Sequence, residues 1–205
     1  MLQSFHLIIL GADTPVGQSL TEQAQAASIS LHAIDSNDWD LTNPATMHET
    51  VKELKASFLI NCMIPGESGT SIEVARVLAQ VCTAHNVGLL QLSSNKVFAG
   101  QEGEVFKEED QPLPHSQSGL DVLAIEQVIT SCEKHLILRS GWMFSSQGED
   151  DVSKLLSLAQ QHQNLSLSDS KYLSPTSACD VAAVLLAMVE QTRFAPLWGT
   201  YHYCS

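Results

Sequence analysis

The chain is short of positive charge. Ten Lys and Arg stand against 23 Asp and Glu in 205 residues, a formal net charge of −13. Nonspecific nucleic-acid binding needs clustered cations to neutralise phosphates, so this balance excludes it. Long apolar runs are missing as well; none approaches the roughly 20 residues of a membrane span. No basic stretch precedes an apolar core at the N-terminus, which argues against a secretory leader and for a cytoplasmic protein. The five cysteines, Cys62, Cys82, Cys132, Cys179 and Cys204, are scattered with no C-x-x-C pair. An odd, dispersed set excludes a disulfide framework and reads as buried free thiols in a reducing compartment. The eight histidines show no metal-ligand spacing, so no metal site is expected. Tyrosine is scarce: Tyr172, Tyr201 and Tyr203 are the only three, and nothing before Tyr172 carries a phenol.

What is present begins with Phe5-His6-Leu7-Ile8-Ile9-Leu10, followed at once by Gly11-Ala12-Asp13-Thr14-Pro15-Val16-Gly17. This reads as a buried parallel strand, a tight turn and the start of a helix whose N–H groups can face a pyrophosphate. A dinucleotide turn wants three glycines. Gly11 and Gly17 stand at two of those places, and Thr14 brings a Cβ to the middle one. Asp35, 24 residues after Gly11 and at the end of the second strand, is placed to accept hydrogen bonds from an adenosine ribose. A carboxylate there repels a 2′-phosphate and favours NAD over NADP. A plain strand–helix turn with a solvated Asp35 is the competing reading, and the turn alone leaves both open.

Downstream, apolar strands alternate with helical patterns. Strands are expected near 30–34, 58–63, 87–92, 135–139, 165–167 and 199–203. Helices are expected near 16–27, from Asn43 and Pro44 onward, from a Thr70/Glu73 capping box to His85, and near 119–131, 152–161 and 177–190. Such alternation predicts an α/β fold, a Rossmann-like doubly wound parallel sheet. The whole of 1–205 is expected to form one domain of the NAD(P)-binding type, with 141–205 adding a small, reduced C-terminal lobe. The polar segment 93–118 is long for a compact domain, and such loops are usually functional or mobile.

One stretch points further. Ser93-Ser94-Asn95-Lys96-Val97-Phe98-Ala99-Gly100, followed by Glu108-Glu109-Asp110-Gln111-Pro112-Leu113-Pro114, resembles the extended short-chain dehydrogenase/reductases, and most closely their dTDP-4-dehydrorhamnose reductase branch. That branch has a similar Ser-Thr-Asp-Tyr-Val-Phe-x-Gly segment after strand four. The likeness continues in order through Asp40-Leu41-Thr42, Leu59-Ile60-Asn61-Cys62, Ile137-Leu138-Arg139-Ser140-Gly141-Trp142-Met143-Phe144, Asp169 with Ser174-Pro175-Thr176, Asp180-Val181-Ala182, and Gly199-Thr200-Tyr201-His202. It implies a nicotinamide cofactor, NAD or NADP, and a nucleotide or sugar-nucleotide ligand. The implied cofactor contacts are Gly11, Ala12, Thr14, Val16 and Gly17 in the turn, Asp35, Asp40 and Leu41 on the adenine side, and Met63 after strand three. Ser94 matches the hydroxyl of the family's catalytic triad.

The departures matter as much. In the family a Tyr-x-x-x-Lys pair opens the helix after the long loop; the phenol acts as general acid, and the Lys lowers its pKa and holds the nicotinamide ribose. With Gly119, Leu123 and Glu126 fixing the register, Ser118 takes the Tyr place and Val122 the Lys place. Serine has no pKa near working pH and valine no charge, and losing a general acid typically costs roughly 10²–10⁴-fold in rate. The expectation is a reductase homologue acting as a non-catalytic nucleotide-binding or regulatory module, alone as a homodimer or with a protein partner. The alternatives are a working reductase or epimerase with Lys96 or His115 as relocated acid, and a cofactor-free assembly protein. Relatives continue past the Gly-x-Tyr-His strand, so only part of the sugar-nucleotide lobe is expected here.

Overall fold

Alternation along the apolar strands decides which helix packs where. The computed structural model describes residues 5–38, 43–65, 70–100, 103–145, 151–161, 164, 166, 174–195 and 197–204. Six strands form one parallel sheet: β1 (His6–Leu10), β2 (Ser30–Ile34), β3 (Phe58–Asn61), β4 (Gly88–Ser94), β5 (His135–Ser140) and, last in the chain, β8 (Gly199–Tyr203). Their order is β2-β1-β3-β4-β5-β8. Every pairing is parallel. This is the doubly wound sheet that the strand–helix alternation predicts. Two residues each from β6 (Met143–Phe144) and β7 (Thr176–Ser177) make a separate small parallel pair.

Ile8, Leu10, Leu59, Leu89 and Ile137 point to one face of the sheet. There they meet α2 (Pro44–Glu53), α3 (Ile72–His85) and α4 (Gln117–Ile129) through Met47, Val51, Leu78, Ile125 and Ile129. Leu7, Ile9, Ile60, Leu90, Leu92 and Leu138 point the other way. They pack on α1 (Pro15–Ala26) and α6 (Ala178–Gln191) through Val16, Leu20, Val181, Leu185 and Val189. Both faces are covered, so central β4 is buried along its whole length, as parallel strands require. One more helix, α5 (Asp151–Gln161), lies between β6 and β7 in the chain. After it, α6 packs on α1 and β8 extends the main sheet beside β5. Among the described residues no helix is long and apolar enough to cross a membrane.

Several local expectations change. The cap of α3 is Ser71, whose hydroxyl accepts from the Val74 N–H, and not Thr70. Thr70 is buried and spoken for by a different network, described below. Strand three stops at Asn61, and strand four runs on to Ser94. Only Cys62, Cys82 and Cys132 are buried; Cys179 and Cys204 are exposed. Burial pushes the Cys62 thiol up to about 12 and the Cys82 thiol higher still, so neither is a nucleophile. Residues 165 and 167 of the strand expected near 165–167 lie outside the described residues, and Ser166 between them is not assigned to a strand.

Candidate functional site

Parallel strands deliver their carboxyl ends to one edge, and ligands of such sheets bind there. At that edge the turn after β1 holds Gly11 at φ +73°, a conformation that favours glycine. A Cβ on Gly11 would come within 2.7 Å of Met63 Cγ, and one on Gly17 within 2.0 Å of the Gly11 carbonyl oxygen. The two glycines therefore let α1 sit close on β1, with Met63 sealed beneath the turn. Thr14 caps α1. Its hydroxyl donates to the Gly11 carbonyl at 2.7 Å and accepts from the Gly17 N–H at 3.1 Å. The middle position thus closes the turn on itself. Pro15, the first residue of α1, has no N–H, while Val16 keeps an N–H with no partner among the described residues.

Asp13 reaches sideways from the same turn. Its carboxylate accepts from the Ser36 N–H at 2.7 Å and from the Ser36 hydroxyl. Partial burial works against that charge, but the Ser36 hydroxyl and N–H prevail and hold the carboxyl below its usual range. Ala12 donates its N–H to Ile34, so the first turn and the end of β2 are joined at two levels. Asp35 is exposed between those two attachments.

Under the centre of the edge lies a buried amide seat. Asn61 on β3 donates to Gln91 Oε1 on β4 at 2.8 Å and accepts from the Met63 N–H at 3.2 Å. Gln91 donates to the carbonyls of Met63 and Leu92, at 3.1 and 2.7 Å. The Thr70 hydroxyl donates to the Met63 carbonyl at 3.0 Å. Every member is paired, so the network fixes the backbone at Met63 at no desolvation loss.

At the far end, Ser94 closes β4. Its hydroxyl accepts from the Lys96 N–H at 3.3 Å and so caps the 3-10 turn Asn95–Val97. The start of α4 presses on that turn: a Cβ on Gly119 would lie 2.3 Å from the Lys96 carbonyl oxygen. Ser118 is half-buried on the first turn of α4, and Val122, one turn on, is 0% exposed. His115 is exposed ahead of the helix. Below, Glu126 of α4 and Arg139 of β5 form a buried ion pair at 2.7 Å, with two further Arg139 Nε contacts at 3.0 and 3.2 Å. The Ser93 hydroxyl also donates to Glu126, at 2.6 Å. The guanidinium lies 5.1 Å from the Phe98 ring centre, and Phe98 stacks on Phe106. Arg139 can only donate, so His202 accepts through Nε2 at 3.3 Å and offers its Nδ1 hydrogen to the Phe106 carbonyl. Glu108 accepts from the His202 N–H at 3.0 Å, and bonds from its own N–H first and then from that of His202 hold its carboxyl below the usual range. These contacts strap the long loop onto β8.

Comparison with known proteins places this arrangement. Residues 5–64 and 67–205 match the family described as the RmlD substrate binding domain. The chain belongs to that family. It is 28% identical to dTDP-4-dehydrorhamnose reductase of Mycobacterium tuberculosis strain H37Rv, over 92% of this chain and 67% of that protein. The structure is similar to dTDP-4-dehydrorhamnose reductase of Bacillus anthracis in complex with NADP, with a TM-score of 0.87 and 23% identity, over 98% of this chain and 75% of that one. It is also similar to Thermus thermophilus UDP-glucose 4-epimerase in complex with NAD, with a TM-score of 0.77 and 15% identity, over 98% and 78%. At such identities the structural likeness establishes the fold.

Within this reductase-family chain the predicted positions fall into three groups. Gly11, Ala12, Thr14, Val16 and Gly17 form one turn, with Met63 buried under it and Asp35 beside it. Ser94, Ser118 and Val122 gather where β4 meets α4. Asp40 and Leu41 lie outside the described residues. Sequence reasoning did not single out Asp13, Ser36, Arg139 or His202. Arg139 and His202 lay within segments that resemble the family, and Asp13 and Ser36 had only their place shortly after strand ends as a signal.

Proposed function

We propose that this chain is a reductase-family protein that does not transfer hydride, and that it acts as a nucleotide-binding or regulatory module. The observation that carries the proposal is the start of α4. The register taken from Gly119 and Glu126 gives Ser118 and Val122 the places of the family's Tyr and Lys. Val122 is fully buried and apolar, so no charge stands there to lower a neighbour's pKa or hold a ribose. Ser118 has no pKa near neutrality. The Ser94 hydroxyl caps a local turn.

Nucleotide binding is supported at the other end of the edge. The Gly11 turn, the Val16 N–H at the start of α1 and the exposed Asp35 suit the adenosine half of a dinucleotide. Such a cofactor, when bound, supplies or accepts a hydride at its nicotinamide. This chain's own part is to hold the ribose through Asp35 and the phosphates at α1, with Met63 fixing the floor.

The deciding assay follows oxidation of NADH and NADPH by the purified protein with dTDP-4-keto-sugars. No turnover, together with a nucleotide-dependent rise in melting temperature, is expected; ligand at ~100 times its dissociation constant adds about 2.7 kcal/mol. Cofactor-saturable reduction would overturn the non-catalytic reading. It would favour a relocated acid, which alanine variants of Lys96 and His115 then locate. No shift with any nucleotide would favour an assembly protein instead.

A further inference from the structure

The β1–α1 turn carries its own anion. The Ser36 N–H and hydroxyl are two donors just beyond the end of β2, beside Asp35. A phosphate on the adenosine ribose would seek donors of this kind in this place. Both are already taken, each by one oxygen of the Asp13 carboxylate. The charge on Asp13 is favoured by those same bonds, so the carboxylate is ionised at neutral pH. Asp35 and Asp38 stand exposed on the same loop, and the Asp38 N–H is tied to the Asp35 carbonyl. No cation offsets them in sequence: the first lysine or arginine of the chain is Lys52.

We propose that Asp13, held by Ser36, is a specificity residue that occupies the place of a ribose 2′-phosphate. The site then accepts nucleotides whose adenosine ribose has a free 2′-hydroxyl and rejects those phosphorylated there. Attraction and repulsion work together: Asp35 is free to take the diol, while Asp13 both fills the donors and repels a second anion. The bond from the Ala12 N–H to the Ile34 carbonyl keeps the two segments in step, so the backbone at Asp13 stays within reach of Ser36.

The proposal rests on the nucleotide-binding reading above, and one experiment separates the two. Binding of NADH and of NADPH is measured by calorimetry on the full chain, its Asp13→Ala variant and its Asp13→Asn variant. The parent should bind NADH at least about tenfold more tightly than NADPH, since like charges set together at a binding site are costly. Asp13→Ala frees both Ser36 donors and should shrink that ratio several-fold, chiefly by strengthening NADPH binding. Asp13→Asn keeps the shape of the turn but not the charge; it should move the ratio the same way, which covers the case in which the alanine variant fails to fold. Equal affinities in the parent, or a ratio unmoved in both variants, overturns the role of Asp13 and leaves nucleotide binding standing. Failure of the parent to bind either nucleotide overturns nucleotide binding itself and this proposal with it.

Discussion

The two ends of the strand edge are built alike and equipped differently. At the first turn, Gly17 lets α1 close on the Gly11 carbonyl; at the second, Gly119 lets α4 close on the Lys96 carbonyl. Both ends also cap their local turn with a side-chain hydroxyl, from Thr14 and from Ser94. Polar contacts then diverge. The β1 end keeps charged groups in solvent, at Asp13 and Asp35, where a ligand can meet them. The β4 end turns its charges inward: Glu126 and Arg139 satisfy each other, Ser93 and His202, while Val122 is fully buried on α4. The same steric frame thus carries an exposed, charged surface at one end and a chiefly self-contained one at the other. Close approach of helix and strand is a requirement of the fold, whereas a titratable pair is a requirement of a reaction.

The sharpest way to break this comparison is to open the inward-facing end. Glu126→Ala leaves Arg139 buried without its anion and strands the Ser93 hydroxyl. Removing one partner of a buried pair costs about 3–5 kcal/mol. Urea unfolding should show a loss of that size. A loss near that of an exposed pair, below about 1 kcal/mol, would mean that the loop strap, and not the ion pair, holds the far end together.

Next in size come the two glycines. Gly17→Ala and Gly119→Ala each drive a Cβ into a backbone carbonyl, at 2.0 and 2.3 Å. Backbone must shift in both cases, and overpacking of this kind costs about 1–3 kcal/mol. Similar losses by thermal unfolding would support the view that both glycines serve packing. If only Gly17→Ala also removed nucleotide binding, the division of labour between the ends would be sharpened.

Most of this frame was legible in the sequence, because its signals are local. Strands of apolar residues bounded by Gly, Pro and polar caps need no knowledge of their partners, and the fully apolar runs at Leu7–Leu10 and Phe58–Ile60 announce burial on both faces. The misses are long-range. Nothing near Glu126 in sequence reveals that Arg139, 13 residues on, will lie against it. Asp13 and Ser36 are separated by 23 residues and meet only once β1 and β2 pair. The cap of α3 shows how tertiary demand decides between neighbours of equal propensity: Thr70 and Ser71 can both cap, but Asn61 and Met63 engage Thr70 and leave Ser71 to the helix. The β6–β7 pair is two residues long on each side, too short for any periodicity to register.

A smaller effect tests whether Thr14 is a structural part of its turn. Thr14→Ala removes the cap of α1 and should cost about 1 kcal/mol, whereas Thr14→Gly should cost only a few tenths because glycine tolerates cap positions. Unfolding of the two variants side by side gives the difference directly. If glycine instead cost more than alanine, the conformational restraint that a side chain brings to the turn would outweigh the cap.

The smallest effect is the pH dependence set by His6, at the start of β1, and Asp13, in the turn beyond its end. Burial, and then the charge of His32, lower the pKa of His6 from 6.5, while the bonds from Ser36 outweigh burial and lower that of Asp13 from 3.8. Both shifts have the same sign: the folded state resists a proton that the unfolded state accepts. Stability rises with pH wherever the unfolded chain holds more protons. The His6 contribution is therefore complete above 6.5 and is lost as pH falls through its lower folded value; the Asp13 contribution is complete above 3.8 and is lost further down. Asp13 is exposed and His6 half-buried, so each step should be shallow. Urea midpoints followed from pH 7 downward should show the first decline in parent and Asp13→Asn alike. The second should be missing from the variant, because an amide takes up no proton in this range. A second decline of equal depth in both proteins would remove the Asp13–Ser36 contact from the list of interactions that hold the turn.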